Sequence, residues 1–214
     1  ILVVLAFLLV PVYAWITKDI YSLTLFGRIL VFSLAALGLN LALGFGGMVS
    51  LGHAMYIGLG AYSVAILASL GVHSGWLHLL VALGVTAVVA LPLGWVALRT
   101  QGIASIMITL AMAQWFYFIF VSLKGFGGDD GLRLEKASDF GVLTGNSYAL
   151  YLALLACVIA TVFLISRLVA SRFGLVLRAT QANERRVNAV GTSSLPYRLR
   201  AYVISAELCA LAGY

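Results

Sequence analysis

Charge is what this 214-residue chain has least of. Charged residues make up 9% of it against 63% hydrophobic, where soluble domains carry roughly 25% charged residues. So little polar surface cannot cover a soluble domain of this length, whereas a bilayer solvates apolar faces itself. Acids are scarcer than bases, seven Asp and Glu against thirteen Lys and Arg, for a net charge of +6. In a soluble protein that excess would point to nucleic acid. Here it gathers mainly in one loop, so membrane topology accounts for it and no nucleic-acid partner is expected. The two cysteines, Cys157 and Cys209, both stand in apolar runs with no further ligand at usable spacing. They read as small buried hydrophobes rather than a disulfide or metal site.

Chemical motifs are missing as well. The sequence has no Gly-x-x-x-x-Gly-Lys-[Ser/Thr] phosphate cradle, no His-Glu-x-x-His, no Gly-x-Ser-x-Gly and no paired intramembrane Asp. Nucleotide hydrolysis by this chain and intramembrane proteolysis therefore have nothing to stand on. No catalytic, cofactor-binding or metal-binding residue is expected, and the chain is not expected to be an enzyme. What remains is an all-α, polytopic membrane protein: one transmembrane helical-bundle domain over residues 1–214, in contact with lipid.

A spanning helix needs about 20 apolar residues. Residues 79–98, 103–123 and 149–166 meet that length, while 29–45 and 54–70 are shorter and interrupted by glycine. The runs 1–16 and 201–214 read as spans cut by the ends of an internal fragment. No basic region precedes the first run, so no cleaved signal peptide is expected. Between residues 167 and 200 lie seven arginines and a single acid, Glu184, which marks that loop as cytoplasmic. Two spans away, 99–101 falls on the same side. The loop 124–147 then lies outside, with Asp129, Asp130, Glu135 and Asp139 against Lys124, Arg133 and Lys136. The side of Lys18 and Arg28 depends on whether 54–70 crosses fully or re-enters.

Two segments stand out. In the first, Gly44, Gly46 and Gly47 free the backbone to break a helix, which membrane depth tolerates only where protein or a water-filled cavity satisfies the exposed groups. Ala54, Gly58, Ala61, Ala65 and Ala68 follow as a stripe of small residues suited to close helix packing. The segment reads either as a packing helix after a tight turn or as a broken or re-entrant helix lining a substrate path. On the second reading the path is lined by Asn40, Gly44, Gly46, Gly47, Ser50 and His53, with Gln114 mid-span after Thr109. Asn40 shares a face with Ser33, Ala36 and Gly44, and either Asn40 or Gln114 could equally serve an interhelical hydrogen bond. Glu207 is the one acid deep in an apolar run.

The second segment is a helix over 174–190, with Val176, Ala179, Ala182, Ala189 and Val190 on one broad side and Arg178, Arg185 and Asn188 elsewhere. Gly191 stops it. Ser194 and Pro196 then suit the cap and first turn of a following helix. The segment is either a basic loop that fixes topology or a docking helix; its length and sharp ends favour docking, since a topology signal needs neither.

Several of these stretches resemble one family. Leu39-Asn-Leu-Ala-Leu-Gly-Phe-Gly-Gly-Met-Val-Ser-Leu-Gly-His-Ala54 resembles the signature of the branched-chain amino-acid ABC transporter permeases. Arg99-Thr-Gln-Gly-Ile103, Thr109-Leu-Ala111 and Gly127-Gly-Asp-Asp-Gly-Leu132 resemble its LivM rather than its LivH branch. Phe173-Gly-Leu-Val-Leu-Arg-Ala179, Asn183-Glu184, Ala189-Val-Gly191 and Tyr202-Val-Ile-Ser-Ala206 are similar to the family's cytoplasmic loop and following span.

The resemblance implies the membrane subunit of an ATP-driven importer in a bacterial inner membrane. Its partners would be a LivH-type second permease, two cytoplasmic ATP-binding subunits that hold the ATP and Mg, and a periplasmic substrate-binding protein. It implies coupling to the ATPases through Gly174, Arg178, Ala179, Asn183, Glu184, Ala189 and Gly191. Leucine, isoleucine and valine are the expected substrates, although urea and short-chain amide importers share the signature. An ion-coupled secondary transporter is the competing class; it would need charged coupling residues at midplane, and only Glu207 qualifies. Glu207 also departs from the family pattern, which has a small or apolar residue there.

Overall fold

Twenty consecutive apolar residues in lipid have one inexpensive conformation, the helix, because it satisfies every backbone group internally. The computed structural model describes residues 2–17, 20–100, 102–128, 131 and 147–214. Lys18, Gln101, Asp129, Asp130, Arg133, Glu135, Lys136 and Asp139 lie outside the described residues. The described residues form helices α1 (Leu2–Thr17), α2 (Ile20–Asn40), α3 (Ala54–Ser69), α4 (Gly75–Leu98), α5 (Ile103–Ser122), α6 (Ser147–Ala170), α7 (Arg172–Ala189) and α8 (Ser194–Gly213). A π-helical turn, Leu41–Phe45, continues α2, and a 3-10 turn, Lys124–Phe126, follows α5.

Four of these segments are long and apolar enough to cross a bilayer: Tyr21–Phe45, Gly75–Leu98, Ile103–Ser122 and Ser147–Ala170. The chain is a multi-pass, all-α membrane protein. The shorter α3, 16 residues long, extends about 24 Å at 1.5 Å per residue. It joins α4 through the short turn 70–74 and packs along both α4 and α8. The turn reverses the chain, so α3 runs back along α4.

The centre of the bundle is α8, a helix that falls outside the four candidate spans. Arg198, Arg200 and Glu207 keep it out of the apolar group. Yet its Ala201, Tyr202, Ser205, Ala206, Cys209, Ala210 and Ala212 are buried among α2, α3 and α4. Small side chains explain this, because in lipid helices associate by close backbone approach rather than by hydrophobic contrast. Each neighbour presents a glycine to α8. A Cβ on Gly38 of α2 would stand 3.0 Å from Leu208 Cβ, one on Gly94 of α4 would stand 2.6 Å from Tyr202 Cδ1, and one on Gly60 of α3 would run into the Ala210 carbonyl.

The small-residue stripe of α3 coincides with its packing face only at Ala65. Buried on α3 are Met55, Tyr56, Leu59, Gly60, Val64 and Ala65, whereas Ala54 and Ala61 are exposed and a Cβ on Gly58 would meet nothing. Small residues permit a close approach without compelling one. The face that wins carries Tyr56 and Gly60, which fit the groove of α8.

At the other side of the bundle α1 packs on α2 and α6, with Phe7 edge-on to Phe26 at 6.0 Å and the Tyr151 hydroxyl donating to the Phe7 carbonyl at 3.0 Å. Helix α5 is the outlier: Thr109 is its one buried residue. Cys157 and Cys209 are both free thiols, and Cys209 is buried against the Ala35 carbonyl.

The helix of the arginine-rich segment also differs from its sequence reading. It begins at Arg172, and Asn183 inside it has non-helical torsions (φ −161°, ψ 98°), so α7 is two helical segments meeting at a kink. Its buried residues are Gly174, Leu177 and Thr180, while Ala179, Ala182, Ala189 and Val190 are exposed. The broad alanine side is turned outward. Ser193, not Ser194, occupies the cap position of α8, and it makes no side-chain cap bond. The Ser194 N–H is satisfied instead by Asn188 Oδ1 at 3.0 Å. Pro196 falls in the first turn, where its missing N–H costs nothing.

Candidate functional site at the glycine break and the arginine-rich helix

Helix α2 widens into the π-helical turn at Leu41–Phe45 and stops at Gly46. Gly47 has φ +62°, a left-handed conformation that L side chains resist. Its N–H reaches Leu43 O at 3.2 Å, and the Met48 N–H reaches back to Ala42 O at 3.0 Å. Asn40 Oδ1 stands where a Cβ on Gly44 would be. Residues 48–52 are irregular. Leu51 N–H donates to Thr109 Oγ1 at 3.3 Å, and a Cβ on Gly52 would strike the Thr109 carbonyl. Thr109 is thus the post on α5 that holds the returning chain.

His53 opens α3 from the cap position but does not cap it. Its ring is buried, with Tyr56 and Tyr202 edge-on at centroid distances of 5.6 and 5.1 Å. The Tyr56 hydroxyl donates to the Tyr202 hydroxyl at 3.2 Å. His53 Nε2 lies 2.9 Å from Ser205 Oγ, and Ser205 Oγ donates to the Gly38 carbonyl at 2.6 Å. A hydroxyl has one proton to give, so Ser205 must accept from His53, which places the imidazole proton on Nε2. Nδ1 then faces the interior as a lone pair with no partner. Ser50 Oγ, also buried, likewise makes no hydrogen bond. Every side chain of this cluster is uncharged or, for His53, a neutral tautomer.

The network ties α2, the entry to α3, and α8 through side chains, where lipid offers no competing water. Removing the Tyr56 hydroxyl takes one bond from it. Y56F is expected to lower the melting stability of the purified protein by about 1 kcal/mol or less, the scale of a hydrogen bond within a membrane protein; the thermal midpoint in detergent measures it.

On the other side of the break lies α7. Gln181 Nε2 donates to the Gly44 carbonyl at 3.2 Å, so the end of α2 sits beside the arginine-rich helix. Arg28, twelve residues before Asn40 on α2, is therefore roughly 18 Å toward the opposite side at helical rise. Gly174 is buried where a Cβ would strike the Val169 backbone, which sets the tight turn between α6 and α7. Arg178 Nη2 donates to Val169 O at 3.3 Å. Glu184 accepts from Ser194 Oγ at 2.7 Å and from Arg198 Nη1 at 3.0 Å. A polar cavity of about 650 Å³ lies between break and helix, bordered by Gly46, Gly47, Gln181, Asn183, Glu184 and Arg198.

The structure brings most of the sequence-read residues together. Asn40, Gly44, Gly46 and Gly47 form the break, and Ser50 and His53 lie buried beyond it. Gln114 stands apart, exposed on α5. Gly191, with φ +88°, ends α7, and Ala179 and Ala189 face outward. Glu207 is half-buried in an apolar groove with Leu91, Leu168, Phe173 and Arg200, away from the break. The sequence reading did not single out Gln181, Tyr56 or Ser205 as site residues. Tyr202 and Ser205 carried a signal nonetheless: with Ala206 and Cys209 they repeat at helical spacing in a helix that also carries Arg198, Arg200 and Glu207. Among the described residues no group of three or more His, Cys, Asp or Glu gathers in metal-binding range.

The structure thus presents a bundle of membrane-length helices around a broken, uncharged segment, with an amphipathic helix beside it. The chain matches the family described as branched-chain amino acid transport system / permease component over residues 21–214, and it belongs to that family. It is 27% identical over 222 residues to the high-affinity branched-chain amino acid transport system permease protein LivM of Escherichia coli (strain K12), covering 92% of this chain and 51% of that protein. It is 26% identical over 220 residues to the protein of the same name from Salmonella typhimurium (strain LT2), covering 91% and 51%. The chain thus spans about half the length of these relatives. No solved structure matches it at a significant level.

Proposed function

We propose that this chain forms the substrate pathway of an ATP-driven importer for branched-chain amino acids in a bacterial inner membrane. It works with a LivH-type second permease, two cytoplasmic ATP-binding subunits and a periplasmic binding protein. ATP and Mg belong to the partner ATPases, and this chain binds no cofactor of its own. The observation that carries the reading is the orientation of α7. It turns Gly174, Leu177 and Thr180 inward and leaves Leu175, Ala179, Ala182 and Val190 exposed on an otherwise charged element. Exposed apolar side chains on a cytoplasmic helix are a surface for a groove in another protein. The candidate pathway residues Asn40, Ser50, His53 and Gln114 bring no carboxylate or basic cation, which suits a zwitterion with an aliphatic side chain, since it brings no net charge to be neutralised.

The test is co-purification of the ATPase subunits with the whole permease, followed by uptake. The double substitution A179D/A182D places two charges on the docking face, where burying an unpaired charge costs about 2–5 kcal/mol. It is expected to strip the ATPases from the complex at least roughly thirtyfold while the permease still inserts. Retention of the ATPases at wild-type level would remove α7 from the interface. Reconstituted with its binding protein, the complex is expected to take up labelled leucine in an ATP-dependent way. Uptake of labelled urea instead would move the substrate to the amides.

A further inference from the structure

Resting on the docking of α7 to an ATPase, we infer that Gln181 is the positioning residue that ties ATPase movement to the glycine break. Two independent features of the break are met by this one side chain. Gly47 leaves a notch: a Cβ there would stand 2.7 Å from Gln181 Cγ, so the stem of Gln181 occupies the space that the missing side chain vacates. Gly44 presents a carbonyl at the end of a helix, where the last C=O groups lack intrahelical partners, and Gln181 Nε2 donates to it at 3.2 Å. The stem reads the notch and the amide reads the carbonyl.

The helix that carries Gln181 is built to move it. The first segment of α7 is fixed to α6, through Gly174 beneath the Val169 backbone and Arg178 on the Val169 carbonyl. The second segment is fixed to α8, through Glu184 on Ser194 and Arg198 and through Asn188 on the Ser194 N–H. Between the two anchored segments Asn183 leaves the helix, and its own Oδ1 caps the new start by accepting from the Arg186 N–H at 3.1 Å. Hinges are a few residues that absorb a backbone change between rigid bodies. Gln181 stands two residues before this one.

The docked face, with Ala179 and Ala182, flanks Gln181 on the first segment; displacement of that segment relative to α8 is taken up at Asn183 and withdraws or presses the Gln181 amide. The element it acts on is a π-helical turn, a register with one residue too many per turn that recurs at functional sites. Released from Gln181, the Gly44 carbonyl is free to take a different partner, and Gly46 and Gly47 supply the backbone freedom for that change. Ser205 holds the Gly38 end of the same segment from α8, so the break is gripped from both sides.

The experiment uses the complete transporter, with its second permease, ATPases and binding protein, in proteoliposomes. Q181M keeps the length of the side chain and removes its donor. The ATPases are expected to co-purify as with wild type, while leucine transported per ATP hydrolysed falls about tenfold, within the usual range of a coupling term. Q181K, which retains a donor at comparable reach, is expected to restore most of that ratio. A wild-type transport-to-hydrolysis ratio in Q181M would overturn the inference alone. Equal loss in Q181M and Q181K would overturn the hydrogen-bonded link. Absence of ATPases from the wild-type preparation would overturn the importer reading itself, and this inference with it.

Discussion

Leucine in place of Gly60 is expected to prevent the purified protein from holding its native bundle. The Cβ alone would run into the Ala210 carbonyl, and a backbone atom inside a helix cannot swing aside as a flexible side-chain tip can. To admit Leu, α3 must separate from α8 along a contact that also seats Tyr56 against Tyr202 and Gly213 against Ile57. Overpacking of this kind costs about 3 kcal/mol or more, a large share of the margin by which a domain is folded. The expected result is loss of the monodisperse peak in detergent and loss of uptake. The control is on the same helix: G58A, where a Cβ meets nothing, is expected to leave both unchanged, because only the position facing α8 is tight. Equal tolerance at both positions would mean that α3 and α8 are not packed in this register.

Ser205→Ala is expected to act next most strongly. One hydroxyl donates to the Gly38 carbonyl and accepts from His53 Nε2, so its removal leaves the imidazole N–H buried beside an already unpartnered Nδ1. A buried donor left without its acceptor costs about 1–3 kcal/mol, more than the single bond lost in Y56F. The thermal midpoint is expected to fall further than in Y56F, and leucine uptake with it, since the same hydroxyl positions the entry to α3 against α2. Ser205→Thr keeps the hydroxyl and is expected to recover part of the stability. A midpoint in Ser205→Ala equal to wild type would show that His53 finds another acceptor.

Much of this fold was legible in the residues. The spans at 79–98, 103–123 and 149–166 lie within a few residues of α4, α5 and α6, because apolar length in lipid leaves the backbone little choice. Gly44, Gly46 and Gly47 announced the break. The arginines between 167 and 200 marked an element distinct from the spans. The family was legible from motifs in order along the chain.

What the sequence determined by itself was which stretches are helical, where a helix must stop, and what family the chain belongs to. The helices and their breaks follow from local composition, which each segment carries with it; the family follows from the resemblance of its motifs. Which face of each helix is buried was decided only in the tertiary structure. The stripe of Ala54, Gly58, Ala61, Ala65 and Ala68 satisfied a packing pattern, yet Ala54 and Ala61 ended outward and only Ala65 is buried. In an almost uniformly apolar chain, hydropathy cannot distinguish a lipid-facing surface from a protein-facing one. Contact in lipid is chosen instead by shape: a glycine opposite a carbonyl, a hydroxyl opposite an imidazole. Such complementarity exists only once two distant segments meet, as Gly60 meets Ala210 and Gln181 meets Gly44 and Gly47. The centrality of α8, polar by composition and buried by fit, has the same cause.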